Sequence, residues 1–178
     1  MTFPGDINEI LTKTRVLLFS GNENIVRFFA HVLSFHRKEV DFYGKGPLTG
    51  ADFIVFPSSD TGDASLIKAN ILLADSATSQ AQLDVLATSV TSGGVLIFPD
   101  ELSFDENIAT AYYRRLPFEK PVRNKSSDGR FMLETMLGEI PVSNDILLKD
   151  IAGLQLLAQQ FGIMEEEFYE ALLEYETV

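Results

Sequence analysis

The 178-residue chain contains no cysteine, which removes disulfides, thiol nucleophiles and cysteine-ligated zinc from consideration. Its histidines are His31 and His36 alone, so a three-histidine metal site is excluded as well. Basic residues are scarce: 14 Lys and Arg stand against 26 Asp and Glu, for a net charge of −12. Such a chain repels phosphate backbones and anionic lipid, so neither nucleic acid nor a membrane is an expected partner. No run approaches the ~20 apolar residues of a membrane span. Met1 to Ile10 lacks the basic start and apolar core of a signal peptide. A soluble, cytoplasmic protein is the expectation. No internal repeat or linker appears, and residues 1–178 read as one domain.

What is present is globular in texture, with 46% apolar and 22% charged residues. The chain is organised around Arg15 to Asn24 and the apolar-striped run after it. Val16 to Phe19 is a continuous apolar run of strand length, as expected for a strand covered on both faces. A glycine turn follows at Gly21. From Asn24 to Lys38, Ile25, Phe28, Phe29, Val32, Leu33 and His36 recur at helical spacing, with Arg27, His31, Ser34 and Lys38 on the other side. A strand, a tight turn and a helix start in that order is where α/β folds place a nucleotide's phosphates.

Glu39 to Tyr43 reads as a short strand broken by Gly44-Lys45-Gly46-Pro47. Three further apolar runs follow, Phe53 to Phe56, Ile71 to Ala74 and Val95 to Phe98, each ending in small or acidic residues. Between the last two lies a helix that buries Leu83, Leu86, Ala87 and Val90. Ser79 and Gln82 form a capping box at its start, and Gly93-Gly94 follows its end. Beyond Glu101 the spacing predicts a helix over Asp105 to Arg115. Strand-like pieces are expected near Phe118–Val122, Phe131–Thr135 and Glu139–Val142, with a turn at Asp128-Gly129. Two amphipathic helices close the chain, one striped by Leu147, Ile151, Leu154, Ala158 and Phe161, the other by Met164, Phe168, Ala171, Leu172 and Tyr175. Glu165 to Glu167 occupy the first turn of the last helix, where the macrodipole favours negative charge. Buried strands alternating with helices predict a three-layer α/β domain, its mostly parallel sheet flanked by helices, with a smaller strand-rich patch over residues 116–142.

Gly21 to Phe42, Gly93-Gly94-Val95-Leu96-Ile97 and the tail from Gly138 to Glu174 resemble, in this order, three segments of one family. The tail includes Gln160-Phe161-Gly162-Ile163-Met164-Glu165-Glu166-Glu167-Phe168-Tyr169-Glu170-Ala171. Together they are similar to the central, ATP-binding domain of the Mur ligases, a P-loop/Rossmann-like fold. The branch most alike is the UDP-N-acetylmuramate–L-alanine ligases and the muropeptide-recycling ligases. The family's UDP-sugar-binding and C-terminal domains have no expected counterpart in these residues. The resemblance implies ATP-driven formation of an acyl-phosphate, which needs a phosphate loop, a lysine, a Mg²⁺-binding hydroxyl and carboxylate, and an adenine pocket.

At each chemically committed position this chain departs from the family. The resemblance puts Asn22 where the family has its phosphate-binding lysine, and Glu23 and Asn24 at its two hydroxyl residues. A carboxylate about 4 Å from a phosphate oxygen repels it by roughly 4 kcal/mol at an effective dielectric of about 20. Pro57 falls at the Mg²⁺-binding glutamate, Ser76 at the histidine of an Asp-His pair, and Ile146-Leu147-Leu148-Lys149-Asp150 on the segment that helps hold adenine. Gly21, Asn22, Glu23 and Asn24 are thus the candidate, degenerate phosphate loop. The favoured reading of Ser20-Gly21-Asn22-Glu23 is a capping box in which Glu23 bonds back to the Ser20 amide.

The expectation is a Mur-ligase-like domain without its catalyst or cofactor, a binding or regulatory module linked to peptidoglycan metabolism that works with a protein partner or as a homodimer. The alternative is an ATP-dependent UDP-N-acetylmuramate–amino acid ligase-type enzyme with a rearranged site. In that case Asp60 and Asp75, each following a parallel strand, are the candidate Mg²⁺ ligands, with Asp100 at the same edge. Loop and helix-capping roles are the favoured reading of these aspartates. Arg114, Arg115, Lys120, Arg123, Lys125 and Arg130 form a basic cluster that suits an anionic ligand, an acidic partner or a solvated rim. Neither histidine has a visible orienting partner.

Overall fold

A computed structural model describes residues 10–105, 107–108, 111–121, 124–125, 131–142 and 145–177. Six strands form a parallel sheet: β1 (Thr14–Phe19), β2 (Val40–Phe42), β3 (Phe53–Ser58), β4 (Ile71–Ala74), β5 (Val95–Pro99) and β6 (Arg114–Phe118). Their spatial order is β2-β3-β1-β4-β5-β6. The helices are α1 (Glu23–Phe35), α2 (Thr61–Ile67), α3 (Gln80–Ala87), α4 (Asp145–Gln159) and α5 (Glu165–Thr177). Three antiparallel strands, β7 (Asn124–Lys125), β8 (Phe131–Thr135) and β9 (Gly138–Val142), make a second, small sheet.

The unbroken apolar strands are explained by burial on both faces. Val16, Leu18, Val55, Leu73 and Ile97 pack with α1, α4 and α5, while Leu17, Phe19, Ile54, Phe56, Leu72 and Phe98 pack with α2 and α3. This is the expected three-layer α/β arrangement. Leu133, Ile140 and Val142 of the small sheet join the first of these cores. The chain leaves β1 through α1 toward β2, and leaves β3 through α2 to reach β4 on the other side of β1. The strand order therefore reverses around β1, and its carboxyl end is the crevice where such sheets bind ligands.

Most expected elements are present at nearly the expected bounds. Ile25, Phe28, Phe29, Val32 and Leu33 are the buried stripe of α1, and Phe28 meets the rings of Phe168 and Tyr175 on α5 at 5.7 and 5.1 Å. Both bonds of the Ser79–Gln82 capping box form at α3. Gly94 has a steric reason to be glycine, since a Cβ there would stand 2.5 Å from the Asn70 carbonyl oxygen. Gly162 ends α4 in the left-handed region, at φ +70°.

Two expectations are corrected. The described residues between Asp105 and Arg115 form no helix; they turn and run into β6, which contains Arg114 and Arg115. Pairing with β5 outweighs the local pattern: the Arg114 amide donates to Gly94 O at 2.9 Å, and the buried Tyr113 hydroxyl donates to Ala87 O at 2.8 Å. The strand expected near Phe118–Val122 accordingly lies earlier, at Arg114–Phe118. Helix α2 falls on residues to which the sequence pattern assigns no element. It is too short to show a period, and it exists because Asp60 caps it and Ala64 and Ile67 are buried. The turn at Asp128-Gly129 lies outside the described residues.

Candidate functional site

The turn after β1 is closed by its own side chains. The Ser20 amide donates to Ser58 O at 2.9 Å, tying the ends of β1 and β3 together. Ser20 Oγ accepts from the Asn22 amide at 3.0 Å, and Asn22 Oδ1 accepts from the Asn24 amide at 3.0 Å. Asn22 is thus the N-cap of α1, and the capping box expected from Ser20 to Glu23 does not form. The reason is register. Glu23 is already the first helical residue, so its side chain lies along the outside of α1 and meets Arg27 one turn on, at 3.3 Å. Of the candidate residues, Gly21 and Asn22 fall within this turn, and Glu23 and Asn24 open α1.

A cleft of about 460 Å³ opens beside it, lined by Ser20, Asn22, Glu23, Val26, Arg27, Lys45, Pro57, Ser58 and Ser59. Lys45 was not among the sequence candidates. The one signal for it is the flanking pair Gly44 and Gly46, which allows a turn that holds a side chain out. The buried carboxylate of Asp41 anchors that loop, accepting from the Thr49 amide at 2.8 Å and the Thr49 hydroxyl at 2.7 Å, with Lys13 Nζ 4.0 Å away. Burial pushes the Asp41 carboxyl up, but the Thr49 bonds and Lys13 outweigh it and hold it below its ordinary value.

The candidate metal ligands are engaged with backbone. Asp60 Oδ1 accepts from the Gly62 amide at 2.8 Å as the cap of α2. Buried Asp75 accepts from the Ala77 amide at 3.0 Å and the Thr78 hydroxyl at 3.2 Å. Asp100 is exposed, and its amide donates to Phe118 O at 3.0 Å. Among the described residues no three His, Asp or Glu side chains are grouped to hold a metal.

A more unusual carboxylate lies one strand over. Asp150 is 1% exposed and accepts from the Ser76 amide at 2.5 Å and the Ser76 hydroxyl at 2.8 Å. Burial pushes its carboxyl up to about 6; Ser76 lowers it, nearby Asp75 raises it further, and Lys120 offsets part of that. No local pattern marks Asp150 as special, because its partner is 74 positions away. The histidines also have partners that only the tertiary structure supplies. His31 Nε2 lies 3.1 Å from Ala171 O and 2.9 Å from Glu174 Oε2, and His36 Nε2 lies 2.9 Å from Glu167 O, all on α5. The described members of the basic cluster have separate partners: Arg114 donates to Gln160 at 2.8 Å, Arg115 covers the Phe104 ring at 4.6 Å, and Lys120 pairs with Glu101 at 2.6 Å. Arg123 and Arg130 lie outside the described residues.

No protein-family model matches the chain, and no curated protein matches its sequence. Its fold does have solved counterparts. A UDP-N-acetylmuramoylalanyl-D-glutamyl-2,6-diaminopimelate–D-alanyl-D-alanyl ligase from Acinetobacter baumannii superposes over 93% of this chain with TM-score 0.67. The fold is that of the Mur ligases. A second such structure, the UDP-N-acetylmuramate:L-alanyl-gamma-D-glutamyl-meso-diaminopimelate ligase from Neisseria meningitides, matches over 94% of the chain with TM-score 0.62. Folylpolyglutamate synthetase from Lactobacillus casei shares the fold over 97% of the chain, with TM-score 0.56. Identities are 11, 13 and 14%, so this likeness is one of fold. The chain spans 47% of the first ligase's length and 67% of each of the other two. Among the described residues no helix of this Mur-ligase fold is long and apolar enough to cross a membrane.

Proposed function

We propose that this chain is a Mur-ligase-like domain that has given up ATP binding and ligation and serves as a binding or regulatory module in peptidoglycan metabolism, with a protein partner or as a homodimer. One observation carries the reading. At the turn where a nucleotide's phosphates would need free amides, those of Asn22 and Asn24 are taken by Ser20 Oγ and Asn22 Oδ1. Glu23 adds a carboxylate at the first position of α1, where it opposes the attraction of the helix N-terminus for an anion. No lysine lies within the turn itself. Isothermal titration of the full chain with Mg·ATP tests this: no saturable heat is expected, and micromolar binding would overturn it.

Lys45 supports a second reading, since it brings a cation to the same cleft from another loop. In that reading the domain is an ATP-dependent ligase with a rearranged site, Lys45 replacing the missing lysine and Asp60 and Asp75 turning to Mg²⁺. It requires Asp60→Ala or Asp75→Ala to abolish a measurable turnover while leaving the domain folded. Turnover unchanged in both variants removes it.

A further inference from the structure

The charges that line the cleft do not cancel. Glu23 and Arg27 neutralise each other at 3.3 Å. Lys45 lines the same cleft, its ammonium 5.5 Å from the centre of the Phe42 ring, and among the described residues no carboxylate pairs with it. It is held in place on a short lever. The Lys45 amide donates to Phe42 O at 3.1 Å, and Asp41 fixes the far side of the loop through Thr49. The cleft therefore carries one net positive charge on a defined support.

Hydrogen-bond donors are left over beside it. The turn spends the amides of Asn22 and Asn24 on its own closure, while those of Gly21 and Glu23 find no acceptor among the described residues. Among the described residues Asn22 Nδ2 has no hydrogen-bond partner, though it is shut off from solvent. Ser59, exposed and lying against the turn at Gly21, adds a hydroxyl.

We propose that this cleft binds a single carboxylate group, paired with Lys45 and hydrogen-bonded by the turn. One net positive charge and a few donors match one negative charge. A polyphosphate would bring several charges within range of Glu23, whereas a carboxylate can approach from the Lys45 side and leave the Glu23–Arg27 pair intact. The ligand class is an organic acid or a peptide C-terminus, which share this group. The proposal rests on the reading that the nucleotide site is closed, and it names what the same cleft takes instead.

The test is a pair of amide-resolved NMR titrations on the full chain, one with N-acetylglycine and one with Mg·ATP. N-acetylglycine is expected to shift the amides of Gly21, Glu23, Lys45 and Ser59 saturably at millimolar concentration, and N-acetylglycinamide, its uncharged counterpart, to leave them still. Lys45→Met, a change at an exposed position, should weaken binding about tenfold, the loss of one charge-assisted contact. Glu23→Gln should tighten it. Absence of saturable shifts, equal shifts with N-acetylglycinamide, or unchanged affinity in Lys45→Met would each overturn the proposal. The Mg·ATP arm is separate: micromolar binding there overturns the non-nucleotide reading, and the Lys45→Met result with N-acetylglycine still decides the carboxylate.

Discussion

At the carboxyl end of β1 the polar side chains serve their immediate neighbours, and only the Ser20 backbone amide reaches another strand: Ser20 Oγ receives the Asn22 amide, and Asn22 Oδ1 receives the Asn24 amide, each two residues on. At the carboxyl end of β4, the adjacent strand, Ser76 instead meets Asp150 of α4, 74 positions away. The first corner opens onto the cleft beside it, and its Glu23–Arg27 pair stands largely in water. The second is sealed, with Asp150 1% exposed. A corner whose side-chain bonds are local can change those side chains at little cost, because its tie to β3 runs through the backbone. A corner made of long-range bonds couples a helix to the sheet and holds a carboxylate out of water to do so.

The sharpest way to break the contrast is to disturb the packing behind the sealed corner. A Cβ at Gly153, one turn beyond Asp150, would stand 2.8 Å from Phe118 Cε1 and 3.1 Å from Leu73 Cδ1. Gly153→Ala is expected to cost about 2–3 kcal/mol in urea unfolding by overpacking α4 against the sheet; an unshifted midpoint would show that corner to be soft.

Asp150→Asn addresses the charge itself. The carboxyl sits at about 6 in the fold against an ordinary value of 3.8, so between those values the folded state binds more protons than the unfolded one. Stability then falls as pH rises from about 4 to 6, and the loss is complete above that range. Asparagine keeps an acceptor for the Ser76 amide and removes the buried charge. It should raise stability at pH 8 by about 2 kcal/mol and flatten the profile between pH 4 and 7. A variant with the parent's pH profile would remove Asp150 as its source.

The open corner should respond less. Asn22→Ala deletes the cap of α1 and is expected to cost about 1 kcal/mol, measured as a drop in thermal midpoint, with Asn22→Gly losing only part of it. Glu23→Ala should be smallest, within about 0.5 kcal/mol, since it breaks an exposed pair one helical turn apart. A larger loss would mean that Glu23 supports the turn itself, and the two corners would no longer differ in kind.

Legibility follows the same division. Helix α1 was readable from Ile25, Phe28, Phe29, Val32 and Leu33, and the α3 capping box from Ser79 and Gln82, because each signal lies within a few residues. The candidate turn was readable in place but not in detail: the box assigned to Ser20 and Glu23 depends on where α1 starts, and the helix starts at Glu23. The strand expected near Phe118–Val122 begins instead at Arg114, where a helix is expected to end, because its register is set by pairing with β5, too far away for a local pattern to announce. Lys45 escaped notice for a related reason, as the loop after β2 meets the turn after β1 only when β3 lies between their strands.

Sequence alone determined the alternation of buried strands with helices, the three-layer class, the exclusion of cysteine chemistry, and the likeness to the Mur ligases that superposition bears out as fold. These depend on composition and on periods of two to four residues, which the chain carries wherever it goes. Tertiary structure decided the strand order, the cleft with its lysine, the seat of Asp150 beneath Ser76, and the docking of both histidines against α5. Each of these joins side chains that the backbone brings together only after the sheet has formed, and desolvation at those meeting points sets their chemistry.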